Sequence, residues 1–378
     1  MRITRAAAGA LLCLATCGLA ATPAAVADSG SPAPVGGPLL TGRGEVVSPL
    51  VGAPPLPRDL TATAWLVADA DTGEVLAAKA PHAHYLPAST LKTLTALTLI
   101  PLLDPHQLVR ASYHDAVVDG SKVGLVPGMR YPVRTLLKAM LVVSGNDAAD
   151  ALADAAGGIP HTVDLMNGVA QHLQANDTVA RTPSGLDAPG ETTSAYDLAL
   201  IARAGLQLPD FRSYVSTVKG RVPAPHHKHF QIYTHNRLLT SYHGMIGVKN
   251  GYTVAAHATY VGAATRGGHT IIVTLLHAQP YFWNEARALL NWGFAARGHV
   301  EPVGQLVGPV DSTRAAATQA IAAPVGASRH TVVLASDHHG TIAVWQLAAL
   351  AGSAAVAVVV TARRQRRRSA GRLTLPPL

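Results

Sequence analysis

Strand-like patterns occur near both ends of the central region of this chain, and helical patterns lie between them. Two short apolar strands within residues 64–78 flank a turn, as in a β-hairpin. Helical periodicity follows in five segments, 89–100, 134–143, 147–156, 161–174 and 195–206. Strand patterns return at 229–234, 244–249, 257–265 and 269–277, before a last amphipathic segment at 281–294. This order predicts an α/β (α+β) fold, in which an antiparallel sheet built from both ends of the chain is flanked by helices and carries a helical insertion.

The first 27 residues have the features of an export signal. Arg2 and Arg5 precede an apolar run of small residues, and Ala25-Val26-Ala27 fits a small-residue cleavage site. Both cysteines of the chain, Cys13 and Cys17, lie in this run. Cleavage after residue 27 would therefore leave a mature protein with neither disulfides nor thiol chemistry.

The opposite end of the chain has the pattern of a membrane anchor. Residues 341–362 contain no charged residue, and a helix of this length, at ~1.5 Å per residue, crosses a bilayer core. Six arginines follow within 363–378. The positive-inside rule then predicts a single-pass protein of the cell membrane, with a cytoplasmic basic tail and the chain before the span outside the cytoplasm.

The net charge of +8 follows from this topology. Arg2 and Arg5 contribute two charges and the tail arginines six, and neither 1–27 nor 363–378 contains an acidic residue. Residues 28–362 are therefore neutral overall, so the basic composition is no argument for a nucleic-acid partner.

Composition divides the remaining chain into three parts. Residues 28–60 are rich in glycine, proline, serine and alanine, which predicts a flexible leader, and 301–340 are predicted to be a linker. The region 61–300 is predicted to be one globular domain, large enough to bury a substantial core.

The first of three polar motifs is Ser89-Thr90-Leu91-Lys92, which begins a helical pattern just after Pro87. Residues three apart share a helix face, so Lys92 can lie beside Ser89. A lysine shielded from water loses its proton near neutral pH and can activate a serine as general base. Proline and serine are also ordinary helix-start residues, and this spacing alone favours that interpretation because Ser-x-x-Lys often occurs by chance.

The second motif is Ser144-Gly145-Asn146, which lies between two predicted helices. Such residues commonly link helices. As part of a site, Ser144 would relay a proton between Lys92 and a leaving amine, and Asn146 would orient Lys92 and the substrate backbone.

The third motif, Lys249-Asn250-Gly251, ends a strand pattern. Asn-Gly is a strong hairpin-turn dipeptide, and this interpretation competes with a functional one. In the functional interpretation an edge strand pairs with an extended peptide, Lys249 binds a carboxylate and Gly251 permits close approach. The backbone N–H groups of Ser89 and Tyr252 are candidates for an oxyanion hole.

Together these motifs resemble the active site of the penicillin-binding proteins and serine β-lactamases, and the body is similar to a low-molecular-mass serine-type D-alanyl-D-alanine carboxypeptidase. The likeness covers about 62–295 and includes the sequence at 86–92, 120–125, 144–149, 183–187, 195–199 and 289–294. One departure is Asn250, where the third motif of the family has threonine. Asparagine still offers a donor to a carboxylate, so we expect activity to survive with altered affinity.

The resemblance implies a DD-peptidase fold and removal of the terminal D-alanine from peptidoglycan stem pentapeptides. Ser89 would attack the D-Ala–D-Ala amide, Ser144 would protonate the leaving D-alanine, and Lys249 with Asn250 would hold its carboxylate. β-Lactams would acylate Ser89 as inhibitors. The resemblance implies neither a metal nor another cofactor.

Other functions fit the sequence less well. The commonest serine β-lactamases with this pattern use a glutamate on a loop after the second motif to activate the deacylating water. The one glutamate between the second and third motifs, Glu191, lacks the expected flanking residues. A D,D-endopeptidase or transpeptidase on the same scaffold stays open. A silent cell-wall binder is disfavoured because the nucleophile, base and relay serine are all present. The histidines at 226–229 and 338–339 have no metal-site framework.

Overall fold

A computed structural model describes residues 35–310 of the chain. Its strands, in chain order, are β1 (Glu45–Pro49), β2 (Ala64–Asp69), β3 (Glu74–Lys79), β4 (Leu108–Arg110), β5 (Arg130–Pro132), β6 (Lys219–Ala224), β7 (Lys228–Tyr233), β8 (Met245–Thr253), β9 (His257–Arg266), β10 (His269–Ala278), β11 (Val300–Glu301) and β12 (Gly304–Gln305). Its α-helices are α1 (Lys92–Leu99), α2 (Tyr113–Val117), α3 (Val133–Val142), α4 (Asn146–Ala155), α5 (Ile159–His172), α6 (Ala195–Gly205), α7 (Pro209–Val215), α8 (Leu238–Ser241) and α9 (Trp283–Ala296). Two 3-10 helices occupy Pro38–Thr41 and Ala88–Leu91.

The main sheet is antiparallel and draws its strands from both ends of the described chain. Its order is β11-β1-β3-β2-β10-β9-β8, and β12 also pairs with β3. Helix α6 packs on one face of the sheet and α9 on the other. Because both faces are covered, β2 is buried at every residue and its side chains alternate between two cores, with Leu66 in one and Trp65 in the other.

The helices α1 to α7 form an insertion between β3 and β8. Helix α1 lies within it and packs against α3, α4, α5 and α6, with Leu94 and Leu99 fully buried. The insertion also contains the β4–β5 and β6–β7 hairpins. The predicted fold class is therefore confirmed, although the strand expected at 229–234 is β7 of a separate two-stranded sheet.

The predicted leader at 28–60 and linker at 301–340 are wrong where the structure describes them. Leu40 is fully buried, and β1 pairs with both β3 and β11. Val303 and Leu306 are also buried in the core. The short apolar patches of these segments cover the β3 side of the sheet. The glycine- and proline-rich composition of 28–60, and the shortness of the patches in 301–340, gave no sign of this packing.

Within residues 35–310, no helix is long and apolar enough to cross a membrane. The predicted export signal at 1–27, membrane span at 341–362 and basic tail at 363–378 all lie outside the described residues.

Candidate active site

Ser89 lies in the 3-10 helix that immediately precedes α1, where the chain leaves the sheet. Ala88, the residue before it, is buried and has a φ of +47°. The Thr259 hydroxyl on β9 donates to the carbonyl of Pro87 at 2.8 Å. Ser89 itself is partly exposed while its neighbours on both sides are buried. The turn is thus fixed to the sheet and presents one serine hydroxyl to solvent.

Lys92 is completely buried, and its Nζ has three neighbours. Ser89 Oγ lies 3.0 Å away, Asn146 Oδ1 accepts at 2.7 Å, and the carbonyl oxygen of Ser184 also accepts. A neutral amine has two N–H groups and one lone pair. The two carbonyl oxygens take the N–H groups, so the lone pair is left for the Ser89 hydroxyl.

The surroundings of Lys92 favour this neutral amine. Burial is the largest cause that holds its pKa well below the ordinary value, and the charge of Lys249 lowers the pKa further. Three acidic groups oppose the shift, Asp150, Glu191 and Asp147. Lys92 therefore has the contacts that a general base for Ser89 needs, and its lowered pKa favours the neutral form that this predicted role requires.

Asn146 begins α4 and is held at both ends of its amide. Its Nδ2 donates to the carbonyl of Asp119 at 2.7 Å, which directs Oδ1 toward Lys92. Ser144, two residues earlier, is almost buried and has a φ of +62°, in the link between α3 and α4. Among the described residues its side chain makes no hydrogen bond. Asn146 therefore contacts Lys92 directly, and the relay role of Ser144 stays a prediction.

The third motif lies inside β8 and does not form a turn. Asn250 pairs with Tyr260 and Gly251 with Thr259, so the alternative of an Asn-Gly hairpin turn is wrong. Strand β8 is the edge strand of the main sheet as far as the structure describes it. A Cβ on Gly251 would lie 2.6 Å from the backbone nitrogen of Ser89. The motif therefore lies directly beside the nucleophile.

Lys249 is a second buried lysine. Its Nζ donates to the carbonyl of Asn250 at 2.6 Å, and burial lowers its pKa to about 7. Tyr252 follows Gly251 and is exposed. A buried amine beside a free strand edge suits the carboxylate end of an extended peptide, because the anion would restore the charge of the lysine. The oxyanion-hole role of the Ser89 and Tyr252 N–H groups stays a prediction.

Sequence reasoning missed two contributors to the site. The Ser184 carbonyl is a backbone atom, so the residue type at this position gives no signal of its contact with Lys92. The Asp147 carboxylate accepts the backbone N–H groups of Val123, Gly124 and Leu125 at 2.7–3.0 Å, which ties a loop to the start of α4. An aspartate in the first turn of a helix was the available signal, and it reads as ordinary capping.

Two groups of described residues have the spacing of metal ligands away from this site. Asp69, Asp71 and His269 form one, and His82, Asp177 and Asp197 form the other. Arg297 donates to Asp69, and His82 lies 2.7 Å from Asp177. Internal partners thus already satisfy both groups. The histidines at 226–229 form no such group.

Comparison with known proteins agrees with this geometry. The family model for D-alanyl-D-alanine carboxypeptidase, peptidase S11, matches residues 51–280. The D-alanyl-D-alanine carboxypeptidase DacB2 of Mycobacterium tuberculosis is 41% identical over 251 residues, which cover 65% of this chain and 86% of that protein. A solved D-alanyl-D-alanine carboxypeptidase from the same organism has a TM-score of 0.64 at 39% identity, covering 70% of this chain and 100% of that one. The Streptomyces K15 DD-transpeptidase has a TM-score of 0.61 at 30% identity, covering 64% of this chain and 100% of that one.

Proposed function

Because this chain belongs to the D-alanyl-D-alanine carboxypeptidases of peptidase family S11, we propose that Ser89 is the nucleophile of its D,D-carboxypeptidase reaction and Lys92 the base that activates it. The observation that carries this assignment is the environment of Lys92 Nζ. It lies 3.0 Å from Ser89 Oγ, and two carbonyl oxygens take up its N–H groups. Family membership identifies the reaction, and this contact supports the assignment of the two residues.

In the first half of the reaction an ester to the enzyme forms and a peptide bond breaks. Lys92 takes the Ser89 proton as Oγ attacks the penultimate D-alanine carbonyl of a stem pentapeptide. The N–H groups of Ser89 and Tyr252 receive the oxyanion. Ser144 then relays this proton from Lys92 to the departing nitrogen, so D-alanine leaves as the amine, Lys92 is neutral again and Ser89 keeps the acyl group.

The carboxylate of the leaving D-alanine is bound at β8. Lys249 supplies the positive charge, and the Asn250 amide supplies a neutral donor where the family has a hydroxyl. The peptide backbone extends along the free edge of β8, opposite Asn146. In the second half, Lys92 accepts a proton from the water that attacks the ester carbonyl and returns it to Ser89 Oγ as the acid product leaves.

A β-lactamase is not favoured by the position of Glu191. Its side chain is buried, and Oε2 accepts three hydrogen bonds from Arg181 and Thr182. Oε1 is buried without a hydrogen-bond partner among the described residues, and neither oxygen bonds to Ser89 or Lys92, so nothing places this carboxylate to activate a water at Ser89. Penicillin should therefore acylate Ser89 and remain as a long-lived inhibitor. A D,D-transpeptidase or endopeptidase is the second candidate, since a DD-transpeptidase shares the fold.

The test is release of D-alanine from a diacetyl-L-Lys-D-Ala-D-Ala peptide by the full chain. We expect release by the wild type and none by Ser89→Ala, which should also lose covalent penicillin labelling. Labelling retained in Ser89→Ala would place the nucleophile elsewhere. Labelling without D-alanine release in the wild type would instead indicate a transpeptidase or endopeptidase, and rapid penicillin turnover a β-lactamase.

We also propose that the enzyme is exported and anchored, so that the catalytic domain is extracytoplasmic. The uncharged segment 341–362 and the arginines that follow it support this proposal, as does the signal pattern of 1–27. A chain that ends at residue 340 should move from the membrane fraction to the soluble fraction and keep its activity. Membrane association unchanged by this truncation would contradict the anchor.

A further inference from the structure

Glu191, which belongs to none of the three motifs, holds the backbone of a loop beside the site. Its Oε2 accepts the backbone N–H groups of Arg181 and Thr182, both at 3.0 Å. The hydroxyl of Thr182 donates to the same oxygen at 3.1 Å. Three donors on one buried carboxylate oxygen fix the start of this loop, because charge-assisted hydrogen bonds are the stronger kind.

The Thr182 hydroxyl extends this hold to Gly185. Its hydrogen is donated to Glu191, and its oxygen accepts the N–H of Gly185 at 2.8 Å. Gly185 has a φ of +75°, and a Cβ there would lie 1.9 Å from the carbonyl oxygen of Ala88. The loop therefore packs directly against the backbone that precedes Ser89.

Ser184, between these two positions, presents its carbonyl oxygen to Lys92. That oxygen accepts one of the N–H groups of Lys92 Nζ. On the other side, the Thr95 hydroxyl of α1 donates to the carbonyl of Pro183 at 2.7 Å. The carbonyl that orients Lys92 thus belongs to a segment that is fixed at two places. Helix α1 holds it at Pro183, and Glu191 holds it at Arg181 and Thr182.

We propose that Glu191 is a positioning residue for the general base: through the loop 181–185 it holds the Ser184 carbonyl where it aims the Lys92 amine at Ser89. This inference rests on the proposed roles of Ser89 and Lys92. Glu191 does not reach the reacting atoms and acts through Thr182 and Ser184.

The charge of Glu191 has a separate and opposite effect. A negative carboxylate near Lys92 stabilises the protonated amine and raises its pKa. Burial raises the pKa of Glu191 itself to about 7, and its Oε1 has no hydrogen-bond partner among the described residues. Glu191→Gln keeps an oxygen for the Arg181 and Thr182 N–H groups and removes the charge. It should therefore lower the pKa of Lys92 without releasing the loop.

The experiment compares four substitutions in the full chain: Glu191→Ala, Glu191→Gln, Thr182→Val and Thr182→Ser. The measurements are the rate of Ser89 acylation by a fluorescent penicillin from pH 5 to 9, D-alanine release, and thermal unfolding. Glu285→Ala is the matched control. The Glu285 carboxylate likewise accepts hydrogen bonds from two consecutive backbone N–H groups, those of Thr61 and Ala62, and it contacts none of the site residues.

We expect Glu191→Ala and Thr182→Val to slow acylation at least tenfold while they remain folded. Thr182→Ser, which keeps the hydroxyl, should stay within about twofold of the wild type. Glu191→Gln should keep most of the maximal rate, and its profile below about pH 7, where wild-type Glu191 is itself protonated, should match that of the wild type. Glu285→Ala should lower the unfolding temperature and leave the acylation rate unchanged.

Acylation by Glu191→Ala within twofold of the wild type would overturn the inference. If this variant does not fold, the comparison of Thr182→Val with Thr182→Ser tests the inference instead. Equal acylation rates for these two variants would overturn the inference. A slowing by Glu285→Ala equal to that of Glu191→Ala would show a general loss of stability instead of positioning. A wild type that is neither labelled nor active would refute the proposed function itself, a result distinct from all of these.

Discussion

At the scale of single residues, the site depends on two buried lysines that need opposite charge states. Lys92 must be neutral to take a proton, and its neighbours are a hydroxyl and two carbonyl oxygens. Lys249 must be charged to hold a carboxylate, yet burial lowers its pKa to about 7. A bound substrate carboxylate would favour the protonated form of Lys249, which burial disfavours. Substrate binding and protonation of Lys249 are therefore coupled.

A substitution at Lys249 tests this coupling through pH. As pH rises above about 7, Lys249 of the free enzyme loses its proton, so kcat/KM for the peptide should fall. In Lys249→Arg the guanidinium keeps its charge at every accessible pH, and this alkaline fall should disappear. The measurement is D-alanine release against pH for both proteins. A wild-type profile that stays level up to pH 9 would contradict the role of Lys249.

The substitution Lys92→Arg keeps a positive charge beside Ser89 and removes the group that can accept its proton. An arginine stays protonated and cannot accept the Ser89 proton, so acylation by penicillin should fall by about 10²–10⁴, the usual contribution of a general base. Stopped-flow labelling measures this rate, and circular dichroism shows whether the variant is folded. A folded variant that acylates at the wild-type rate would exclude Lys92 as the base.

At the scale of elements, the close approach of β8 to the nucleophile turn shapes the site. A Cβ on Gly251 would meet Ser89 N and Thr259 Oγ1, each at 2.6 Å. The Thr259 hydroxyl also fixes the turn through the Pro87 carbonyl. Strand and turn therefore cannot separate or approach without moving the atoms that would bind the oxyanion.

Gly251→Ala should consequently slow acylation by about tenfold or more, because the added methyl displaces the Ser89 backbone. Gly168→Ala in α5 is the matched control, since a Cβ there meets nothing within 4 Å. It should leave the rate unchanged and stabilise the protein by about 0.5–1 kcal/mol through helix propensity. Both effects are measured by penicillin labelling and chemical denaturation. Equal acylation rates in the two variants would show that the strand tolerates the methyl.

At the scale of the whole molecule, the ends of the described chain complete the sheet. Strand β1 lies between β3 and β11, and Leu40 is fully buried against the core. Segments that the composition assigned to leader and linker thus shield the β3 side of the sheet, and the catalytic unit extends beyond 61–300.

This arrangement predicts that a chain of residues 61–300 is much less stable than one of residues 35–310. The shorter chain exposes an edge of β3 and loses the Leu40 side chain, whose replacement by alanine alone should cost about 2–5 kcal/mol. Thermal unfolding and soluble yield compare the two chains. Equal unfolding temperatures would mean that β1 and Leu40 add nothing to the fold.

Local patterns in the sequence predicted the antiparallel sheet, the helical insertion and the three motifs with their order along the chain. These features depend on periodicity and on residue types at short spacing, which a sequence displays directly. The pairing of Ser89 with Lys92 is of this kind, because residues three apart on a helical turn must be neighbours.

Only the tertiary structure decided which distant groups meet. The Ser184 carbonyl reaches Lys92 across 92 residues, and Asn146 reaches it across 54. Asn250-Gly251 extends β8 because β9 pairs with it along its whole length, which outweighs its turn propensity. The positioning role of Glu191 and the pairing of β1 likewise depend on the residues that pack against them. Backbone carbonyls and packing partners have no signature in a single sequence, so these features appear only when the chain is folded.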